Sequence, residues 1–159
     1  MDDLRGKSSQ GKPDLLSLAQ ELLANPGDGR IKLYLIYRLL QFRRLHPELF
    51  GQGEYRPLEG VGEKKDHLIA LARVGGEKTL IVLVPRLMVG LTGGVEQAPL
   101  GEECWKDTFV SVPPSWKGRI FRNLFTGEEV QIEEEGGIWG FALRSGLRSF
   151  PVGAWAQKE

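Results

Sequence analysis

Few residues of this 159-residue chain combine the types and spacing that chemistry requires. Carboxylates fall in three clusters, Glu102-Glu103, Glu128-Glu129 and Glu133–Glu135. Glycosidic chemistry uses two carboxylates on opposite sides of the scissile bond, about 5–5.5 Å apart in retaining enzymes. All three clusters lie in or beside expected turns, where neighbouring side chains cannot hold that geometry, so they read as solvated charge. His46 precedes Pro47 at an expected helix end and suits capping of the last carbonyls. His67 opens an expected strand with only Asp66 beside it. Two histidines and one cysteine make neither a metal cluster nor a thiol dyad, and Cys104 reads as a small packed residue. Gly60-Val61-Gly62 leads into charged residues and a strand, not into the helix that a phosphate cradle needs. No catalytic residue, metal or cofactor is expected.

The tryptophans carry more. Trp105, Trp116, Trp139 and Trp155 offer indole faces that can stack on sugar rings, yet the same residue type dominates cores and interfaces. Trp116 sits in the loop-like PPSWKG, and Trp105 follows Glu102-Glu103. These two are candidate sugar contacts, weighed against a place in a core or at its rim.

Composition narrows the class. Lys+Arg and Asp+Glu both number 21, which argues against a nucleic-acid binder relying on phosphate neutralisation, although Arg38, Arg43 and Arg44 could form a local basic patch. A single cysteine forbids an intrachain disulfide and fits a reducing cytoplasm. Met1–Lys12 lacks the apolar run of a secretory signal, and Leu80–Val84, the longest apolar run, is too short to cross a bilayer. The expectation is a cytoplasmic protein with no membrane partner. At this length one domain buries roughly 68–70% of its unfolded surface.

The elements that must position these residues follow from periodicity. Residues 1–12 read as a disordered lead, 13–50 as a helical segment and 51–159 as a β-sandwich domain. Pro13 and Asp14 suit the start of a short helix whose face is Leu15, Leu18, Ala19 and Leu22. Arg30–His46 forms the long helix, with Asp28 as N-cap and Pro47 as its stop. On a helical wheel it shows two apolar rows, not one. Ile31, Leu35, Leu39 and Phe42 form the first; Leu33, Ile36, Tyr37 and Leu40 form the second. One core needs one stripe, so two rows imply two packing partners, one of which lies outside this polypeptide.

After residue 50 the pattern changes to strands. Glu54–Glu59 is expected at a sheet edge because of Pro57. His67–Arg73 and Thr79–Val84 form a hairpin around Gly75-Gly76, and the unalternating TLIVLV predicts a strand covered on both faces. Thr108–Val112, Arg119–Leu124, Glu129–Glu133, Ile138–Leu143 and Phe150–Gln157 complete the set. Helices followed by a run of strands predict an α+β fold with an antiparallel sandwich as its main body.

Several segments resemble one known family. DGRIKLYLIYRLLQFRRLHPELFGQGEYRPLE (Asp28–Glu59) is similar to the end of the catalytic barrel and the entry to the β domain in α-amylase-superfamily enzymes. More narrowly, it resembles the maltooligosyltrehalose synthase family of glucosylmutases. The resemblance continues in family order through HLIALAR (His67–Arg73), TLIVLVPRL (Thr79–Leu87), PLGEECWKDT (Pro99–Thr108), RNLFTGEEV (Arg122–Val130) and FPVGAWA (Phe150–Ala156). It implies the C-terminal part of an intramolecular transglycosylase that converts the reducing-end α-1,4 linkage of a maltooligosaccharide into α,α-1,1. The family's catalytic carboxylates lie on barrel strands upstream, and no residue here matches them.

The same resemblance supplies the absent partner: one row of the long helix would pack on the barrel and the other on the sandwich. It also turns the start of that helix towards the barrel's active-site face, where Arg30 and Lys32 are candidate substrate-side residues or helix-end ion-pair members. The alternatives are a stand-alone carbohydrate-binding module that takes maltooligosaccharide through Trp105 or Trp116, and an interaction domain that pairs with a second copy through the bare helix face.

Overall fold

The structure, a computed structural model, describes residues 14–158. The expected lead 1–12 and Pro13 lie outside the described residues. Helix α1 (Leu15–Ala24) starts where Asp14 accepts from the backbone N–H groups of Leu16 and Ser17, so Asp14 is the N-cap and not a first-turn residue. Helix α2 (Arg30–Leu45) has a different start from the one expected. A single turn over Pro26–Asp28 leaves Gly29 as N-cap at φ +78°, a conformation glycine adopts without strain. Asp28 acts from one residue further out, where Oδ1 accepts from the Arg30 N–H at 2.9 Å. The helix ends at His46, and Pro47 opens the short helix α3 (Pro47–Gly51).

The strands are β1 (Glu54–Val61), β2 (Leu68–Gly75), β3 (Lys78–Pro85), β4 (Phe109–Ser111), β5 (Ile120–Asn123), β6 (Glu129–Gln131), β7 (Glu133–Glu135), β8 (Ile138–Ala142) and β9 (Gly153–Gln157). Their order is β6-β5-β9-β3-β2-β1-β4-β8-β7, and every pairing is antiparallel. Strand β1 passes between two layers: Glu54–Leu58 pairs with β2 and Glu59–Val61 with β4. Pro57 lies in the first half, paired on one side only, which is where a residue without an N–H is tolerated. The fold is α+β, with helices preceding an antiparallel sandwich.

Two expectations change. Glu133–Glu135 is a strand paired to β8 instead of a turn, because Gly136-Gly137 supplies the reversal at positive φ on both residues. The second change is at Gly101–Trp105, which forms a short helix α5; two more turns, α4 (Met88–Thr92) and α6 (Leu143–Gly146), cover the ends of strands.

The period of two along the central strands builds two apolar layers. Ala70 and Ala72 of β2, Ile81 and Leu83 of β3, Phe121 of β5 and Trp155 of β9 face the sandwich interior, where they meet Val110, Phe141 and Leu143. Leu80 of β3 and Ala154 of β9 point the other way, with Val82 and Ala156 partly buried beside them, under Ala19, Leu35, Leu39 and Phe42 of the helices. The unalternating run is therefore covered on both faces from Thr79 to Leu83, as its lack of alternation predicts, while Val84 at its end is exposed.

Space in the interior is tight at Gly153, where an added Cβ would lie 1.8 Å from the Trp155 ring. We expect Gly153→Ala to lower stability by about 1–3 kcal/mol through overpacking, read as a drop in thermal midpoint with near-ultraviolet dichroism of Trp155 altered.

Candidate functional site

Helix α2 divides its residues by angle. Ile31, Leu35, Leu39 and Phe42 of the first row pack with Tyr34 onto the outer face of the sheet. This row has its partner within the chain, so its four residues are not part of a free interface. One flank is pinned by polar bonds across the fold: the Tyr34 hydroxyl donates to the Phe125 carbonyl at 2.6 Å, and Arg38 Nε donates to the Leu124 carbonyl at 2.8 Å. Partial burial pushes the Tyr34 phenol up, which keeps it a neutral donor at physiological pH.

The second row has no such partner among the described residues. Leu33, Ile36, Tyr37 and Leu40 are 69%, 45%, 59% and 57% exposed, at the i, i+3, i+4, i+7 spacing of one helix face. Beside Leu40 the surface dips into a hollow of about 380 Å³ lined by Arg43, Arg44, Pro47, Phe50 and Gly51. Arg43 lies over the Phe50 ring at 5.9 Å. At the other end, Arg30 bonds Asp28 at 2.6 Å and Glu21 at 3.1 Å, so it belongs to an ion-pair cluster at the helix start. The Arg30 backbone N–H, and then its guanidinium, hold the Asp28 carboxyl below its ordinary value. Lys32, two residues on, is exposed.

The sugar-stacking candidates sit elsewhere. Trp105 is fully buried on α5 and donates its indole N–H to the Pro99 carbonyl at 2.9 Å. Trp116, 3% exposed, packs against Phe121 with Arg119 over its ring. Neither presents a face to a ligand, so of the two readings weighed for them the place in the core holds and the sugar contact does not. Local sequence placed Trp116 in a loop, but that loop folds a single turn (Pro114–Trp116) inward onto β5. Trp155 is buried as well, and Trp139 is partly covered by Lys117.

No reacting constellation assembles among the described residues. Glu128 pairs with Arg148, Glu129 with Lys158, and Glu133–Glu135 is exposed along β7. His46 packs against Phe42 at the end of α2, while His67 Nδ1 faces the Leu87 carbonyl at 3.2 Å. Burial pushes the Cys104 thiol up, the opposite of what a nucleophile needs. Among the described residues no group of three His, Cys, Asp or Glu is arranged to hold a metal, and no helix is long and apolar enough to cross a membrane.

What fold and surface define is a sandwich domain roofed by helices, one of which keeps a second apolar row bare. No family model matches the chain, and no curated protein matches it. Solved structures do. The maltooligosyltrehalose synthase from Arthrobacter ramosus is 28% identical with a TM-score of 0.57, and a point mutant of it is 27% identical with a TM-score of 0.58. Each alignment covers 89% of this chain and 17% of that one, so the chain spans about a sixth of the length of the enzymes it matches. It is similar to the family whose C-terminal region its motifs resemble.

Two substitutions separate the faces of α2. Tyr34→Phe should cost about 0.5–1.5 kcal/mol in urea unfolding, because the Phe125 carbonyl loses its donor. The double change Leu33→Glu with Leu40→Glu should shift stability by less than about 0.5 kcal/mol, since both side chains already stand in solvent. A larger loss would show that the second row packs within the chain.

Proposed function

We propose that this chain is the non-catalytic C-terminal domain of a maltooligosyltrehalose synthase, and that it braces the catalytic barrel through the open face of α2. The carrying observation is that face: four large apolar side chains in one contiguous row, far more than the scattered exposed residues of a self-sufficient monomer. The length relation supports the reading, because the matched enzymes carry 83% of their chain outside the aligned part. In them the remainder is large enough to hold a barrel and its carboxylates. The resemblance implies that the whole enzyme isomerises the terminal α-1,4 linkage of a maltooligosaccharide to α,α-1,1; this domain contributes rigidity and position, not a reacting group.

The bracing is mechanical. The outward row of α2 would enter the seam between barrel and sandwich, while its inward row and the Tyr34 and Arg38 bonds fix the helix to the sheet. Lys32, Arg43 and Arg44 rim the open row, and α2 contains no carboxylate, so the facing surface is expected to supply Asp or Glu.

The test is direct. Incubated with maltoheptaose, the chain alone should give no trehalosyl product, and its tryptophan fluorescence should stay flat to millimolar sugar because Trp105 and Trp116 are buried. Product formation would overturn the non-catalytic role; a saturable fluorescence change would favour a carbohydrate-binding module instead.

A further inference from the structure

A second hollow lies on the opposite flank of α2 from its bare row's rim, in the corner where α1, α2 and strands β5 and β9 meet. It measures about 530 Å³ and is lined by Leu15, Arg38, Arg122, Asn123, Gln157 and Lys158, with Leu124 and Ala156. None of these residues is a carboxylate, and three carry positive charge. We propose that this corner is an oxyanion site that takes a phosphate group.

The strand register brings the cations together. Arg122 of β5 stands opposite Ala156 of β9, and two residues on from Ala156 the chain returns Lys158 to the same face. Diagonal neighbours of this kind lie roughly 7–8 Å apart, within reach of one phosphate for side chains this long. Arg38 closes the corner from the flank of α2. Both guanidinium groups are oriented by backbone: Arg38 Nε donates to the Leu124 carbonyl at 2.8 Å, and Arg122 Nε to the Gly127 carbonyl at 3.2 Å. Beyond these bonds, neither guanidinium has another hydrogen bond or ion pair among the described residues. Their terminal nitrogens therefore remain as preset donors, in the planar fork that suits phosphate oxygens.

Among the described residues one carboxylate tempers the site. Glu129 pairs with Arg122 in strand register and holds Lys158 Nζ at 2.9 Å. With Glu129 counted, the described residues leave two net positive charges over the corner. Asn123 is buried and already bonds the Phe125 N–H, and Gln157 receives Arg119, so these amides frame the pocket without adding charge. The volume exceeds that of a bare phosphate and leaves room for a small polar group attached to it.

The experiment uses the full chain, followed by nuclear magnetic resonance shifts of the Asn123 and Gln157 side-chain amides. Inorganic phosphate and a hexose phosphate should each give saturable shifts, while acetate and sodium chloride at matched ionic strength should not. Tighter binding of the hexose phosphate would assign the organic ester, and equal affinity the free anion. Lys158→Gln, an exposed change that leaves the fold in place, should weaken binding about tenfold; Glu129→Gln, which releases Lys158, should strengthen it by a similar factor. Arg122→Gln should abolish saturation, with the thermal midpoint checked because Arg122 also braces its hairpin. Phosphate shifts no larger than those of chloride, or shifts unmoved by both Lys158→Gln and Glu129→Gln, would overturn the site.

Discussion

Strand β3 sets the terms for the rest of the molecule. Leu80 and Val82 face one way, Ile81 and Leu83 the other, and neither set can be left in water without losing about 1.5–3 kcal/mol for each large side chain. The sandwich interior covers one set. The other set requires a second layer, and the helices at the start of the chain are that layer. This is why α1 and α2 are bound to a sheet whose strands come later in sequence, and why Tyr34 and Arg38 reach across to the carbonyls of Phe125 and Leu124. Those carbonyls lie beneath the helix and would otherwise face it without donors.

Covering the sheet uses only part of α2. A core-facing helix needs an apolar stripe little more than 100° wide, and Ile31, Leu35, Leu39 and Phe42 already provide it. Leu33, Ile36, Tyr37 and Leu40 serve nothing inside the described fold. Their exposure carries a cost in solubility that a free-standing protein has no reason to bear, whereas a domain seated on a larger body buries it. The basic rim of Lys32, Arg43 and Arg44 matches the usual arrangement of an interface, apolar at the centre and charged at the edge. The solved enzymes that the chain resembles extend far beyond the 17% of their length that it covers.

What could be read from residues alone was whatever depended on a single element. The two rows of α2 follow from a 100° step, and the two-faced burial of β3 from its lack of alternation. The hairpin at Gly76 follows from glycine's access to positive φ. What could not be read depended on where elements meet. Trp105 and Trp116 are buried because α5 packs on α6, far along the chain, and the Pro114–Trp116 turn folds inward onto β5, and an indole carries no local mark of which way it will point. The strand order was equally hidden, since β9 enters between β5 and β3. Asp28 is instructive in a smaller way: its type announced a cap, but the extra turn before Gly29 moved it one place out.

The arginines of α2 show why position, not residue type, assigns chemistry. Arg30, Arg38 and Arg43 share one side chain on one helix, yet each answers to a different neighbour. Arg30 finds Glu21 and Asp28, and its charge is spent locally. Arg43 lies over Phe50 at the edge of the bare row, where its charge can select an acidic facing surface. Arg38 faces the sheet instead, where a backbone carbonyl takes one N–H and leaves the rest of the fork directed by the fold. A helix anchored by one flank thus separates an exposed apolar face from a polar corner, and the 100° step between residues keeps the two from competing for the same side chains.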